Sequence, residues 1–239
     1  MSSLGDVTFG RLLEDVAAKT PAPGGGAVAS AAAALAAALG EMVVAYSVGK
    51  KSLAAHAAEL EAIGAALAGQ RAIFLDLSEQ DARAYERVAE LLRRPAGDAE
   101  RERAMPGAVA AAINVPRTAL SACADLMSRL ERLVEIGNER LKSDTAVAAA
   151  LCEAAGASAA WNVRANLPLL ESAEERVAIE HRVAEEVWAL AAARAAIERG
   201  CGGAATGNRR PAAGGPARRS PATSSDGGFV LYHGAFKLG

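Results

Sequence analysis

Nine of the fourteen residues from Ala27 to Gly40 are alanine, and nothing from Thr20 to Gly40 is charged. Alanine has the highest helix propensity and little bulk, so such a run specifies a helix that its neighbours can approach closely. Its small and apolar positions lie all round the axis rather than along one stripe, which puts the helix at the centre of a bundle. The bias extends beyond this segment: 61 of 239 residues are alanine and only nine are aromatic. Sandwiches and barrels need β-branched and aromatic strands that this composition does not supply. A membrane span calls for about 20 residues rich in Leu, Ile and Val. An Ala/Gly-rich stretch with Pro21 and Pro23 is read instead as a buried bundle helix, with no membrane partner.

Apolar periodicity predicts an all-α bundle of about six to eight helices over residues 1–199. Thr8 can cap a first helix, Phe9 to Lys19, with Phe9, Leu12, Leu13 and Val16 on one face. Thr20 precedes a proline and is pushed out of the helical region. The central Ala-rich helix runs from about Ala27 to Val48, with Gly49 as its stop. A long amphipathic pattern follows from Lys50 to Arg94. The next, Ala99 to Ile136, contains Pro106 and Pro116, each of which removes a backbone donor, so at least one break is expected there. Thr145 to Asn166 and Glu174 to Arg199 complete the bundle. Residues 200–239 hold ten glycines and three prolines and read as a disordered low-complexity tail, unable to bury enough apolar surface to offset chain ordering.

The formal charge is −2, and residues 1–199 carry 21 basic and 27 acidic side chains. Nucleic-acid binding needs a basic stripe on the folded body, and none is visible. Cys123, Cys152 and Cys201 are far apart and unpaired in spacing, so neither a disulfide framework nor a zinc knuckle is supported, and a reducing cytoplasm is the expectation. The N-terminus has no positive n-region followed by an apolar h-region, so no signal peptide is read. His56, His181 and His233 match no metal-binding spacing, and no metal is expected.

Four polar clusters do not fit a bundle made only for packing. Gly24-Gly25-Gly26 leads into the central helix, where exposed N–H groups attract anions and absent side chains let a ligand reach the backbone; a plain hairpin between helices is the other reading. It is neither a P-loop nor a dinucleotide fingerprint. Lys50 and Lys51 either oppose a helix macrodipole or offer ammonium groups to ligand carboxylates. Asp81 stands inside a long helix, with Ala82 and Ala84 following it: buried, it would have a raised pKa and serve as an acid–base group; exposed, it is a solvated side chain. Asn138, Ser143 and Asp144 surround a connection where Ser143 or Asp144 can cap the next helix. Asn162 and Asn166, four apart, point two amides at one place.

Together these segments resemble the cyclodeaminase/cyclohydrolase family, which comprises the C-terminal domain of formiminotransferase-cyclodeaminase and the stand-alone bacterial methenyltetrahydrofolate cyclohydrolases. The matching text is Thr20-Pro-Ala-Pro-Gly-Gly-Gly26, Gly49-Lys-Lys51, Asp81-Ala-Arg-Ala-Tyr85, Gly137-Asn138, Asp144 and Asn162-Val-Arg-Ala-Asn166. Ala27 departs from the serine that commonly follows the three glycines. The resemblance implies an all-helical subunit that forms a homodimer, with a tetrahydrofolate derivative bound as substrate near the subunit contact and no further cofactor. It implies Asp81 as the catalytic carboxylate, with Gly24, Gly25, Gly26, Lys50, Lys51, Asn138, Asp144, Asn162 and Asn166 binding substrate. The activity implied first is methenyltetrahydrofolate cyclohydrolase, since no formiminotransferase domain precedes the module. Formiminotetrahydrofolate cyclodeaminase and a non-catalytic folate-binding subunit are the alternatives.

Overall fold

A computed structural model describes residues 5–20 and 22–202 of the chain. Six α-helices follow one another: α1 (Phe9–Ala17), α2 (Gly25–Ala45), α3 (Ala57–Leu92), α4 (Ala99–Ile136), α5 (Lys142–Asn166) and α6 (Ala173–Gly200), joined by short turns and three 3-10 segments. The all-α bundle expected from the sequence is what forms, with no strand among the described residues. The tail from residue 203 onward, and the reading of it as disordered, lies outside the described residues.

Chain direction alternates around the central helix. Gly64 of α3 lies against Val44 and Asp81 against Gly26, so α3 runs antiparallel to α2. Gly25 lies against Asn162, which makes α5 antiparallel to α2 as well. Helix α2 is the hub, packed between α3 and α5 with α4 behind, and α6 docks on α4 and α5. Gly40 shows why the hub is built from small residues: a Cβ there would stand 3.1 Å from Leu67 and 3.2 Å from Leu130. Ala33, Ala36 and Ala37 are sealed in the same core with Leu60, Leu67, Phe74, Leu120, Leu126 and Leu130. Both Gly25–Ala45 and Glu139–Leu169 are long and apolar enough to cross a membrane, and both pack as core helices of the bundle.

Several boundaries differ from expectation. Two of the three glycines belong to the central helix, because α2 starts at Gly25 with Gly24 as its N-cap. The helix ends at Ala45, and Gly49, at φ +80°, makes the turn that follows. Lys50 is extended and Lys51–His56 is a 3-10 segment, so α3 starts at Ala57. Ser143 and Asp144 do not cap α5; they lie in its first turn, with Leu141 at the cap position. In α6, Val183, Leu190 and Ile197 are buried as their spacing suggests, whereas Val177 and Trp188 face solvent.

The expected break in α4 does not occur: the helix runs unbroken from Ala99 to Ile136 through both prolines. Pro106 is exposed, so the carbonyl it leaves without a partner is on the wet side. Pro116 is buried, and the Ala112 carbonyl, deprived of the N–H that residue 116 would supply, accepts instead from Nδ2 of Asn166 at 2.9 Å. A side chain from α5 thus repairs the helix at the point where it would open.

Candidate functional site

The start of α2 brings three elements together. Gly24 provides no side-chain cap, so the leading N–H groups of the helix stay uncapped and carry the positive end of its dipole. The Asp81 carboxylate, from the middle of α3, is pressed against Gly26, where any Cβ would overlap it. Asn162, from the last two turns of α5, lies against Gly25, its Oδ1 only 3.3 Å from where a Cβ would be. These glycines are required by close approach: a side chain at either position would close the space between the carboxylate and the amide.

Asp81 is half-buried, and burial pushes its pKa up from the ordinary carboxylate value to about 6. No cation or hydrogen-bond donor among the described residues holds it down. Such a group is ionised at neutral pH yet basic enough to take a proton, which is the combination a general base needs. The Asn162 side chain donates to the Ser158 carbonyl at 3.1 Å, leaving its second amide hydrogen and its side-chain Oδ1 without a partner among the described residues. Asn166 is differently placed: Nδ2 donates both to Ala112 (2.9 Å) and to the Asn162 carbonyl (3.0 Å), so neither hydrogen is left for a ligand.

The other expected residues gather at the far end of α2. The Asn138 N–H donates to Ser47 Oγ at 2.9 Å, its Nδ2 donates to the Tyr46 carbonyl at 3.2 Å, and its Oδ1 accepts from the Arg140 N–H. Ser47 is fully buried, and its hydroxyl donates a hydrogen bond to the Val43 carbonyl at 2.6 Å. Asn138 therefore clamps the α4–α5 corner to the end of α2. Lys50 and Lys51 follow Ser47 closely in the chain, and Asp144 opens α5 beside this corner. A helix of 21 residues separates this group from Asp81 by about 30 Å. The chain thus unites Gly24, Gly25, Gly26, Asp81, Asn162 and Asn166 at one end of α2, and Lys50, Lys51, Asn138 and Asp144 at the other.

Sequence reasoning missed a groove of about 400 Å³ on the adjoining face of α3, lined by Gln80, Arg83, Ala84 and Arg87 and by Gly107 and Ala108 of α4. Arg87 is held there by Glu90 and Glu100 at 2.8 and 2.7 Å. It also missed the bond from Asn166 to the carbonyl orphaned by Pro116; a proline inside an unbroken helical pattern is the signal that points to such a repair.

Comparison with known proteins follows the same lines. A sequence model of the family described as formiminotransferase-cyclodeaminase matches residues 8–185. The formimidoyltransferase-cyclodeaminase of Gallus gallus is 35% identical over 163 residues, 66% of this chain but 30% of the chicken protein. The chain therefore spans under a third of that relative's length. The methenyltetrahydrofolate cyclohydrolase of Methylorubrum extorquens is 30% identical over 199 residues, covering 82% of this chain and 94% of that protein. The crystal structure of a formiminotetrahydrofolate cyclodeaminase from Thermotoga maritima superposes with a TM-score of 0.76 at 30% identity, covering 84% of this chain and 98% of the other. With the family model matched over most of its length and the helical scaffold shared with a solved cyclodeaminase, this chain belongs to the formiminotransferase-cyclodeaminase family.

Proposed function

We propose that the chain is a folate one-carbon enzyme, a methenyltetrahydrofolate cyclohydrolase that converts 5,10-methenyltetrahydrofolate and water to 10-formyltetrahydrofolate. The observation that carries this reading is the Asp81 carboxylate, pressed against Gly26 with no cation beside it among the described residues and its pKa raised to about 6. The substrate brings the missing positive charge, an amidinium spread over N5, the bridging carbon and N10. Close to it, the carboxylate favours the cation and orients a water molecule toward the carbon. As the carbon–oxygen bond forms, Asp81 takes one proton of the water; it returns that proton to N5 as the carbon–N5 bond breaks, and the hydroxyl of the adduct loses its remaining proton to solvent as the formyl C=O forms on N10. Gly24, with open space where a Cβ would be, leaves room for the flat pterin at the helix start, and the second amide hydrogen and Oδ1 of Asn162 suit a ring that both accepts and donates. Similarity along 94% of a methenyltetrahydrofolate cyclohydrolase and 98% of a formiminotetrahydrofolate cyclodeaminase, both at 30% identity, supports the folate one-carbon chemistry that the two reactions share.

The working form is a homodimer. Val28, Leu35 and Tyr46 of α2 and the turn after it, with Val147 and Trp161 of α5, are exposed, Leu35 at 50% and Trp161 at 64%. An apolar patch of this kind suits a partner surface. Two copies related by a twofold axis near Leu35 would set their α2 helices antiparallel, which carries Lys50 and Lys51 of one copy toward Asp81 of the other. Those lysines then hold the glutamate carboxylates of the folate.

The decisive experiment follows the loss of methenyl absorbance with purified full-length protein. Hydration to the 10-formyl product, abolished in Asp81→Asn, is the expected result. Ammonia release from 5-formiminotetrahydrofolate without hydration would reassign the chain to cyclodeamination; folate binding with neither reaction would leave a non-catalytic subunit.

A further inference from the structure

Asn166 stands beside Asn162 on one face of α5, and the pair invites the reading that both amides meet substrate. The hydrogen bonds divide them. Both hydrogens of the Asn166 amide are committed, one to the Asn162 carbonyl within α5 and one to the Ala112 carbonyl of α4, 54 residues away in sequence. Ala112 is buried, and the residue four positions on is Pro116, also buried, with no N–H to give. A buried carbonyl without a partner is costly, so something must fill the gap. The filling group comes from the last residue of α5, just before the chain turns at Leu167–Leu169. One turn earlier on the same helix, Asn162 lies against Gly25.

We propose that Asn166 is a positioning residue: its amide replaces the hydrogen bond that Pro116 removes from α4, and so fixes the final turn of α5 that presents Asn162 to the start of α2. Helix ends fray unless they are tied down. Here the tie is specific to one carbonyl, and it exists because proline opened that carbonyl. Asn166 has no donor left for a ligand, so it acts through Asn162 rather than on substrate. The functional half of this assignment rests on the cyclohydrolase reading given above; the structural half does not.

A double-mutant cycle separates the two. Pro116→Ala restores an N–H that can serve Ala112, which makes the Asn166 amide redundant. Thermal unfolding and steady-state hydration of 5,10-methenyltetrahydrofolate are measured for the full chain, Asn166→Ala, Pro116→Ala and the pair, with kinetics taken well below the lowest melting temperature. Asn166→Ala with proline kept at 116 is expected to lower Tm by about 4 °C and kcat/KM by about tenfold. In the Pro116→Ala background both losses are expected to shrink, the kinetic one to about threefold or less, by the non-additivity of partners sharing one bond. A KM increase of equal size in both backgrounds would overturn the proposal and return Asn166 to substrate contact. A Tm loss with unchanged kcat/KM would overturn the positioning role. If wild-type protein does not hydrate the substrate, the cyclohydrolase reading fails, while the coupling in Tm still decides whether the tie exists. If Pro116→Ala does not fold, Asn166→Asp serves instead: the isosteric carboxylate cannot donate and faces two carbonyls, so its Tm is expected to fall at least as far as that of Asn166→Ala. A wild-type Tm for Asn166→Asp would overturn the tie.

Discussion

The Asp81 carboxylate and the Gly26 backbone are in such close contact that position 26 has no room for a Cβ. Gly26→Ala is therefore expected to swing Asp81 out of place. The added methyl group improves helix propensity by about 1 kcal/mol, so stability changes little, while turnover falls by about 10²-fold or more, the scale of losing an acid–base group. Circular-dichroism melting together with an activity assay separates the two effects. Full activity in Gly26→Ala would mean that the carboxylate does not need this location.

Activity should fall as the solution is acidified through pH about 6, because Asp81 acts as a base only when ionised and its pKa is raised to about 6 by burial. In a kcat/KM profile the acidic limb is expected near that value, and residual activity in Asp81→Asn should lack it. A limb nearer pH 4 would mean that the carboxylate is solvated during the reaction.

The same burial penalises the folded state. A carboxyl whose folded pKa lies above its unfolded value destabilises the fold once it is ionised in both states. The penalty is fully present above pH about 6 and disappears as pH falls toward about 4. After discounting for partial exposure, Asp81→Asn should stabilise the protein by about 1–2 kcal/mol at pH about 8 and by nearly nothing at the acidic end. Denaturant melts at the two pH values check the sign. Destabilisation at the alkaline end would show a favourable partner for the charge.

Ser47→Ala tests the other end of α2. It leaves the buried Asn138 N–H without an acceptor, at a cost of about 1–3 kcal/mol. KM for the folate substrate is expected to stay within about twofold, because the Asn138 N–H and amide are spent on Ser47 and the Tyr46 carbonyl rather than on a ligand. A large KM change without loss of stability would put Asn138 back among the binding groups.

Mixed dimers test the shared site. Asp81→Asn copies and copies carrying Lys50→Ala with Lys51→Ala should each be nearly inactive alone. Combined, they should regain activity, since one of the two sites in each heterodimer then has both an aspartate and its lysines. Absence of complementation in a verified heterodimer would place the lysines outside the site.

The helices were legible because their signals are local. Thr8 caps α1 through its Oγ1, Asp98 caps α4 and Ser172 caps α6; Leu60, Leu67, Phe74 and Leu77 fall on the face that is buried. Asp81 stood out as an acid inside a long helix, followed by Ala82 and Ala84, and its burial against Gly26 is the kind of environment such a residue suggests. What sequence could not reveal was which polar groups meet. Nothing local tells that Asn166 will reach Ala112, or that Asn138 will clamp Tyr46 and Ser47; both depend on which helices become neighbours. For the same reason Pro116 looked like a break: the group that repairs it belongs to the following helix, far along the chain.

The central helix touches its neighbours through Ala33, Ala36, Ala37 and Gly40, side chains with no rotamers to adjust. Its flanking helices are therefore held at a separation that only the main chain sets. A single methylene added anywhere along that contact has no direction in which to turn, and it acts as a wedge, prising Asp81 and Asn162 apart from a distance. Mutational tolerance in this protein should accordingly follow a line rather than a radius. Substitutions along the inner face of α2 should harm catalysis even several turns from the chemistry, while larger side chains on the outer faces of α6 pass without effect.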